Sequence, residues 1–308
     1  MDAEVNVTYL TFGGYVELQK YRYLYFTIMF TVYILIIYCN SVIVFLITIH
    51  KNLHEPMYIF IAALLINTVL YSTAIYPKLL IDFLSEKQII TIAFCLFQGF
   101  SYYTLATSEF LLLAVMAYDR YVSICKPLQY PTIMRETAVK GFLILAWLVP
   151  ACVTAVSVVL YANVKFCNFT MKGIFCNNSG FKLQCVISEA ISIYGVVMLL
   201  NIALFPMLFI LFTYTRILII SYRSCKKVRK KAAQTCLPHL LVLINFSCFI
   251  IYDIVVVRVE SDLPKLARLI MTLQMIAYHP LLNPIIYGLK MKEISKHLKR
   301  LLLQIKSH

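Results

Sequence analysis

The sequence predicts an all-α fold: a bundle of seven membrane-spanning helices followed by a short amphipathic helix on the inner leaflet. Three observations predict it. The 308 residues are 61% hydrophobic and only 14% charged, whereas soluble domains are about 45–50% apolar and about 25% charged. Seven stretches approach the ~20 apolar residues that a spanning helix needs. After Gly288, apolar residues recur at helical spacing between lysines, which is typical of a helix lying on a membrane.

The connections between these stretches are short, so we expect one seven-helix domain over residues 1–308. The predicted spans are 24–49, 57–81, 88–125, 141–164, 190–222, 231–257 and 266–288, with the amphipathic helix at 290–305. The third is the longest. As one helix it would measure about 57 Å at 1.5 Å per residue, against a hydrocarbon core of ~30 Å. It must therefore tilt and protrude before Pro127 ends it.

The distribution of basic residues predicts the orientation. The loops on one side carry 18 Lys and Arg and those on the other side carry 10, and the richer side is expected to be cytoplasmic. The N-terminus is then outside. Three glycosylation motifs, at Asn6, Asn168 and Asn177, all fall on that outer side, and a fourth at Asn245 lies inside the sixth span. We expect the first three to be glycosylation sites.

The net charge of +14 raises the question of a nucleic-acid partner. The basic residues occur in short clusters between apolar runs instead of on one face, which favours contact with anionic membrane lipid. No cofactor and no nucleic acid are expected.

Four of the ten cysteines, Cys95, Cys167, Cys176 and Cys185, lie on the predicted outer side, where disulfides form. Four cysteines allow three pairings. If all four pair, at least one bond must tie the loop before the fifth span to the third helix. A zinc site is less expected in an oxidising compartment, and no metal is predicted. The remaining six cysteines are expected to be reduced.

The end of the third span, residues 116–128, combines a long apolar run with Asp119, Arg120 and Pro127. The acid–base pair has two readings. It anchors the helix end at the interface, or it acts as a switch in which Arg120 exchanges partners, which is among the better-attested uses of a buried pair.

The motifs carry a resemblance to a known family. Residues 116–125 (MAYDRYVSIC) closely resemble the signature of vertebrate odorant receptors, which are class A (rhodopsin-like) G-protein-coupled receptors. The second-helix start at 56–58 (PMY), residues 231–240 (KAAQTCLPHL), residues 280–287 (PLLNPIIY) and the three evenly spaced loop cysteines are also similar to that family. The resemblance covers about residues 20–300. The loop at 174–181 looks more like a fish receptor than a mammalian one.

The resemblance implies roles for particular residues. It implies the disulfides Cys95–Cys176 and Cys167–Cys185. It implies a G-protein gate formed by Asp119, Arg120, Tyr121, Tyr214 and Tyr287. It implies a cation pocket formed by Asn40, Glu109 and Asn283. The implied partners are a small odorant and the olfactory stimulatory G protein in the cilia of an olfactory neuron. Thr68 departs from the family, which usually has Asp there, so we expect a weaker cation site.

Ligand binding is expected in the outer half of the bundle. Tyr102, Tyr103, Ala106 and Thr107 lie on the outer third helix at helical spacing, and Tyr252 and Arg258 lie near the outer end of the sixth. Among acid-sensing odorant receptors, the position matching Arg258 pairs with the ligand carboxylate. Either tyrosine could instead be aromatic packing, and Arg258 could instead pair with Glu260 or Asp262.

Other classes remain open at this point. A transporter would show repeats and glycine-broken helices, but the chain has eight glycines and no repeat. A membrane enzyme would need a nucleophile or metal cluster within the spans, and none is visible. The nearest alternative is a non-olfactory class A receptor for another small ligand. Odorant-dependent guanine-nucleotide exchange distinguishes these classes.

Overall fold

The computed structural model describes residues 9–162, 164–177, 183–186, 188–222, 236–248 and 264–306. In chain order the elements are β1 (Tyr9–Phe12), α1 (Leu18–Ile49), α2 (Pro56–Leu84), β2 (Ile89–Thr91), α3 (Ile92–Cys125), α4 (Tyr130–Ile133), α5 (Glu136–Ala162), β3 (Thr170–Met171), α6 (Glu189–Met198), a π-helical stretch (Leu199–Leu204), α7 (Phe205–Tyr222), α8 (Cys236–Cys248), α9 (Lys265–Lys290) and α10 (Lys292–Lys306).

The described residues contain six helices that are long and apolar enough to cross a membrane: α1, α2, α3, α5, the continuous run from α6 through α7, and α9. Each overlaps most of a predicted span. Of the predicted sixth span, 231–257, the structure describes 236–248, and these residues form the shorter apolar helix α8. Many large apolar side chains on these helices stay exposed, including Phe45, Leu145 and Phe212. Such surfaces suit lipid, which makes this a multi-pass membrane protein.

The third span starts later than expected. We predicted a helix from Gln88, but residues Ile89–Thr91 form strand β2 and α3 begins at Ile92. Thr91 caps the helix, because its hydroxyl accepts a hydrogen bond from the backbone N–H of Phe94 at 3.2 Å. The other end is where the sequence placed it: α3 ends at Cys125, and Pro127 opens a 3₁₀ turn.

A small three-stranded sheet, which the sequence analysis missed, covers one end of the bundle. β1 pairs antiparallel with β2 and parallel with β3, in the order β2-β1-β3. Its apolar side chains Leu10, Phe12 and Ile90 form a separate small core. The segment before α1 is thus folded over the loops. We call this end of the bundle the disulfide end and the opposite end the Arg120 end.

The predicted amphipathic helix is present as α10, and it packs against the Arg120 end. Ile294 is fully buried, and the His297 ring lies 3.8 Å from the His50 ring at the end of α1. Burial and the nearby His50 lower the pKa of His297. Lys292, Lys296, Lys299 and Arg300 are exposed, so this helix presents a basic face and a buried apolar face.

Helix α3 is the central element, since it packs against α2, α5 and α7. A polar tie joins three of these helices. The Trp147 indole on α5 donates to the Asn67 side-chain oxygen at 3.1 Å, and the Asn67 amide donates to the Leu105 carbonyl at 2.9 Å. Within an apolar bundle such bonds fix how helices are rotated against one another.

Candidate functional site

Two disulfides hold the loop between α5 and α6 over the disulfide end. Cys95 at the start of α3 is bonded to Cys176, and Cys167 is bonded to Cys185. Both predicted pairings are therefore confirmed. Gln98 adds a second tie, because its side chain accepts from the Cys176 backbone N–H at 3.0 Å and donates to the Ala74 carbonyl at 3.1 Å. The loop is fixed to both α2 and α3.

This loop reaches into the bundle and meets the predicted ligand-binding residues. Phe175 is buried, and its ring lies 5.2 Å from that of Tyr102, which has no exposed surface. Tyr71 and Tyr103 contact the other sides of the Tyr102 ring at 5.4 and 4.8 Å. Tyr102 is thus a packing residue in this structure, and a ligand could touch it only after one of these three rings moves.

The other predicted contacts on α3 differ in exposure. Ala106 is buried, whereas Tyr103 and Thr107 are half-buried and so keep accessible surface. Tyr252 and Arg258 lie outside the described residues. The structure therefore brings Tyr103 and Thr107 forward as candidate ligand contacts on α3.

Glu109 lies at mid-bundle and is completely buried. Its Oε1 accepts from the Asn283 amide at 3.0 Å, and the same amide reaches the Thr68 hydroxyl at 3.0 Å. The His279 Nε2 lies 2.9 Å from Oε1, close enough for an ion pair but without the alignment of a hydrogen bond. This cluster joins α2, α3 and α9.

His279 is the member of this cluster that the sequence analysis missed. Its Nδ1 lies 3.3 Å from the Asn245 amide on α8, and its ring packs on Phe246 at 4.7 Å. The histidine therefore connects α8 to Glu109. A lone histidine among apolar residues is a weak signal in a sequence, and only the meeting of α3 with α9 gives it a partner.

Asn40, the third residue of the predicted cation pocket, makes no hydrogen bond to Glu109 among the described residues. It donates instead to the Ile36 and Pro280 carbonyls, at 2.7 and 3.2 Å. Even so, Asn40 Oδ1, Glu109 Oε2 and Asn283 Oδ1 are all buried oxygens that accept no hydrogen bond from the described residues. Buried acceptors of this kind suit water or a small cation.

At the Arg120 end, Arg120 forms an ion pair with its neighbour Asp119 through Nη2, and its Nε donates to the same oxygen at 2.9 Å. The other carboxylate oxygen accepts from the Tyr130 hydroxyl on α4 at 2.8 Å. Burial and the adjacent Asp119 raise the pKa of Tyr130. All these partners lie on α3 or just after it, so the pair does not tie α3 to another spanning helix.

The remaining predicted gate residues surround this pair. Tyr214 on α7 and His239 on α8 lie within the range of the Arg120 charge. The Tyr287 hydroxyl on α9 lies 3.4 Å from His239 Nδ1. Tyr214 is buried, and its hydroxyl has no hydrogen-bond partner among the described residues. Tyr121 is half-buried. His239, next to Pro238, is thus the link between α8 and α9 at this end.

The fold and these two polar sites can be compared with known proteins. A family model described as "Olfactory receptor" matches residues 29–305. The chain belongs to the olfactory receptor family. Human olfactory receptor 11A1 is 33% identical over 302 residues, which cover 96% of this chain and 94% of that protein. Olfactory receptor-like protein COR2 of Gallus gallus is 35% identical over 92% of this chain and 91% of its own.

Membership completes the architecture and the general function. The fold is a seven-helix membrane bundle in which α8 belongs to the sixth span, and the protein is a G-protein-coupled odorant receptor, not an enzyme. The transporter and enzyme readings are thereby excluded. The fish-type resemblance is not tested by these relatives and stays a prediction.

Proposed function

We propose that this receptor binds small, water-soluble odorants at the disulfide end and activates a stimulatory G protein at the Arg120 end. The observation that carries the proposal is the course of α3. One helix runs from the disulfide-tethered loop, past Tyr103 and Thr107, to the Asp119–Arg120 pair. A ligand that favours one packing of α3 against its neighbours would change the other end of the same helix.

We propose that activation releases Arg120 from Asp119 and that α8 then moves outward. The side chains of Tyr214, Tyr287 and Tyr121 rearrange around the opening. The C-terminal helix of the G protein then enters the groove. Support comes from Tyr214 and His239, which lie near Arg120 on two neighbouring helices.

The proposed orientation places the disulfide end outside the cell and the N-terminus with it. Disulfides form in oxidising compartments, and the described glycosylation motifs lie at this same end. Asn168 is exposed and Asn177 is half-buried. We propose glycosylation at both and at Asn6, which lies outside the described residues. Within the organism, the olfactory cilium is the proposed location.

Acidic odorants are the proposed ligand class for Arg258, because a guanidinium holds a carboxylate with two hydrogen bonds. We expect Arg258→Ala to abolish responses to carboxylic acids while surface expression is unchanged. An unaltered dose–response curve for those acids would remove Arg258 from the site. Tyr252 is proposed as an aromatic neighbour.

We also propose that Glu109, Asn283 and Asn40 line a small cation pocket. The three buried oxygens without hydrogen bonds support it. Thr68 places a hydroxyl at this pocket instead of a carboxylate, and His279 Nε2 lies 2.9 Å from Glu109 Oε1.

The decisive experiment measures nucleotide exchange on purified stimulatory Gα in membranes containing the receptor. Amino acids, short-chain acids and neutral odorants are tested in parallel on the wild type and on Arg120→Ala. We expect at least one odorant to accelerate exchange in the wild type only. Exchange on an inhibitory Gα alone would contradict the stimulatory assignment.

A further inference from the structure

A shallow cavity opens at the disulfide end between the segment before α1, the loop after β3 and the first turns of α9. Its volume is about 240 Å³ including the open mouth. Three of its lining side chains are basic: Lys172 from the loop, and Lys265 and Arg268 from α9. No acidic side chain lines it among the described residues. The cavity is separate from Tyr103, Glu109 and Asp119.

None of the three cations is neutralised by the described part of the chain, because Lys172, Lys265 and Arg268 form no ion pair there. The buried acid of this region, Asp82, is already paired with Lys78 and accepts a hydrogen bond from Tyr15. Three basic groups thus share one cavity, and no acidic side chain of the described residues balances them.

Arg268 gives the most specific indication. Its Nε is buried and has no hydrogen-bond partner among residues whose positions the structure gives, and a buried donor left unpaired is costly. The Nε–Nη edge of a guanidinium is suited to a two-oxygen anion, which it binds with two parallel hydrogen bonds. Arg268 also lines the cavity, so an oxyanion there would satisfy this donor once the guanidinium turns towards it.

The position of these cations in the helix points the same way. Lys265 and Arg268 lie in the first turn of α9, three residues apart, and no side chain caps this end. The N-terminus of a helix is its positive end, and like charges at this spacing repel each other. Basic residues there oppose the stability of the helix, whereas a bound anion turns both features into attractions.

The walls of the cavity are built by close backbone contact. The Gly14 backbone N–H donates to the Gly173 carbonyl at 3.2 Å, and a Cβ on Gly14 would lie only 2.7 Å from Gly173. The segment before α1 therefore holds the loop that carries Lys172 near the first turn of α9.

We propose that Lys172, Lys265 and Arg268 form an anion-binding site that takes the carboxylate of a small organic acid at the rim of the bundle. This proposal extends the proposed function and rests on it in one respect, because it takes the acid to be an odorant. Such a site would hold an acidic odorant before it passes inward.

The test is direct binding to the full-length receptor in lipid nanodiscs, with trifluoroacetate as the probe and fluorine NMR line broadening as the readout. It needs no signalling, so its failure is distinguishable from failure of the receptor assay. The variants are Arg268→Gln and the exposed Lys172→Gln. The matched control is Lys87→Gln, an exposed lysine at the same end that lines no part of the cavity.

We expect saturable binding to the wild type and to Lys87→Gln. Arg268→Gln should weaken it at least about tenfold, the equivalent of one charge-assisted hydrogen bond. Lys172→Gln should weaken it less, and it provides a second reading if Arg268→Gln folds poorly. Equal binding by all four proteins, or none by the wild type, would overturn the proposal. Competition by inorganic phosphate but not by acetate or propionate would overturn the carboxylate assignment.

Discussion

Two carboxylates on α3, Glu109 and Asp119, have no exposed surface, yet their partners are arranged in opposite ways. Asp119 is held by its chain neighbour Arg120 and by Tyr130, just beyond the helix. Glu109 is held by Asn283 and His279, both from α9. The two acids are ten residues apart, about 15 Å along the helix.

The difference separates a local contact from a contact between helices. Breaking the Asp119–Arg120 pair leaves the spanning helices packed as before, because both charges belong to α3. Breaking the Glu109 cluster removes a tie among α2, α3 and α9. We therefore infer that the Arg120 end opens during activation while the middle of the bundle keeps its packing, as a rigid-body motion requires.

The largest expected effect is at the Arg120 end. Arg120→Ala should abolish odorant-stimulated nucleotide exchange, because the proposed gate loses the group that changes partner. It also leaves Asp119 unpaired, at a cost of about 3 kcal/mol or more in folding stability. Arg120→Lys keeps the charge and serves as the control for folding. Retained stimulation in Arg120→Ala would refute the gate.

The next largest effect should be on stability at mid-bundle. Glu109→Ala removes the acceptor of the Asn283 amide and leaves a cavity beside His279, and truncation of a large buried side chain should cost about 2–5 kcal/mol. Glu109→Gln preserves an acceptor and should cost about 1–2 kcal/mol. The melting temperature of the purified receptor should therefore fall much further for Ala than for Gln. Equal melting temperatures would show that the cluster is not a tie.

The Tyr130 hydroxyl is the second group that holds Asp119 in place. Tyr130→Phe loses a hydrogen bond to a charged acceptor, worth about 1.5–3 kcal/mol. Basal nucleotide exchange should rise, because the Asp119 carboxylate loses one of the groups that position it. Unchanged basal exchange would place Tyr130 outside the gate.

The raised pKa of Tyr130 has a pH consequence. The folded state favours the protonated phenol, so this contribution to stability is fully present below the ordinary tyrosine pKa of about 10. It is lost as pH rises above that value towards the folded pKa. The alkaline loss of thermal stability should be smaller in Tyr130→Phe than in the wild type.

The smallest expected effect concerns the other tie among spanning helices. Trp147→Phe removes the donor to Asn67 and should lower stability by about 1 kcal/mol, because Asn67 keeps its bond to the Leu105 carbonyl. Odorant potency should change little. A large loss of potency in this variant would mean that activation also requires repacking at mid-bundle.

The sequence predicted the spanning helices well, since hydrophobic length is dictated by the bilayer and needs no knowledge of contacts. The predicted start of α3 was wrong. Residues Ile89–Thr91 are apolar enough to continue a helix, and they form a strand only because they pair with β1. The sheet itself was missed, since strands of two to four residues carry almost no periodicity.

The sites were predicted unevenly for the same reason. Asp119 and Arg120 are adjacent in the chain, so their pairing is visible in the sequence. The pairing of Cys95 with Cys176 came from family resemblance, because the residues alone left three possibilities. His279 lies 170 residues from Glu109, and nothing local indicates that α9 brings them together. The sequence also could not show that the Asn40 amide donates to the Ile36 and Pro280 carbonyls.

Pulsed electron paramagnetic resonance can measure whether the Arg120 end opens while the middle of the bundle keeps its packing. Spin-labelled amino acids are introduced at exposed positions. One pair, Leu128 and Leu237, reports on the Arg120 end, and the other, Leu70 and Tyr278, flanks Thr68 and His279. On binding of odorant and G protein, the first distance should lengthen by about one helical turn, ~5 Å, or more, and the second should stay nearly constant. A first distance that does not change, or an equal lengthening of both, would contradict the account.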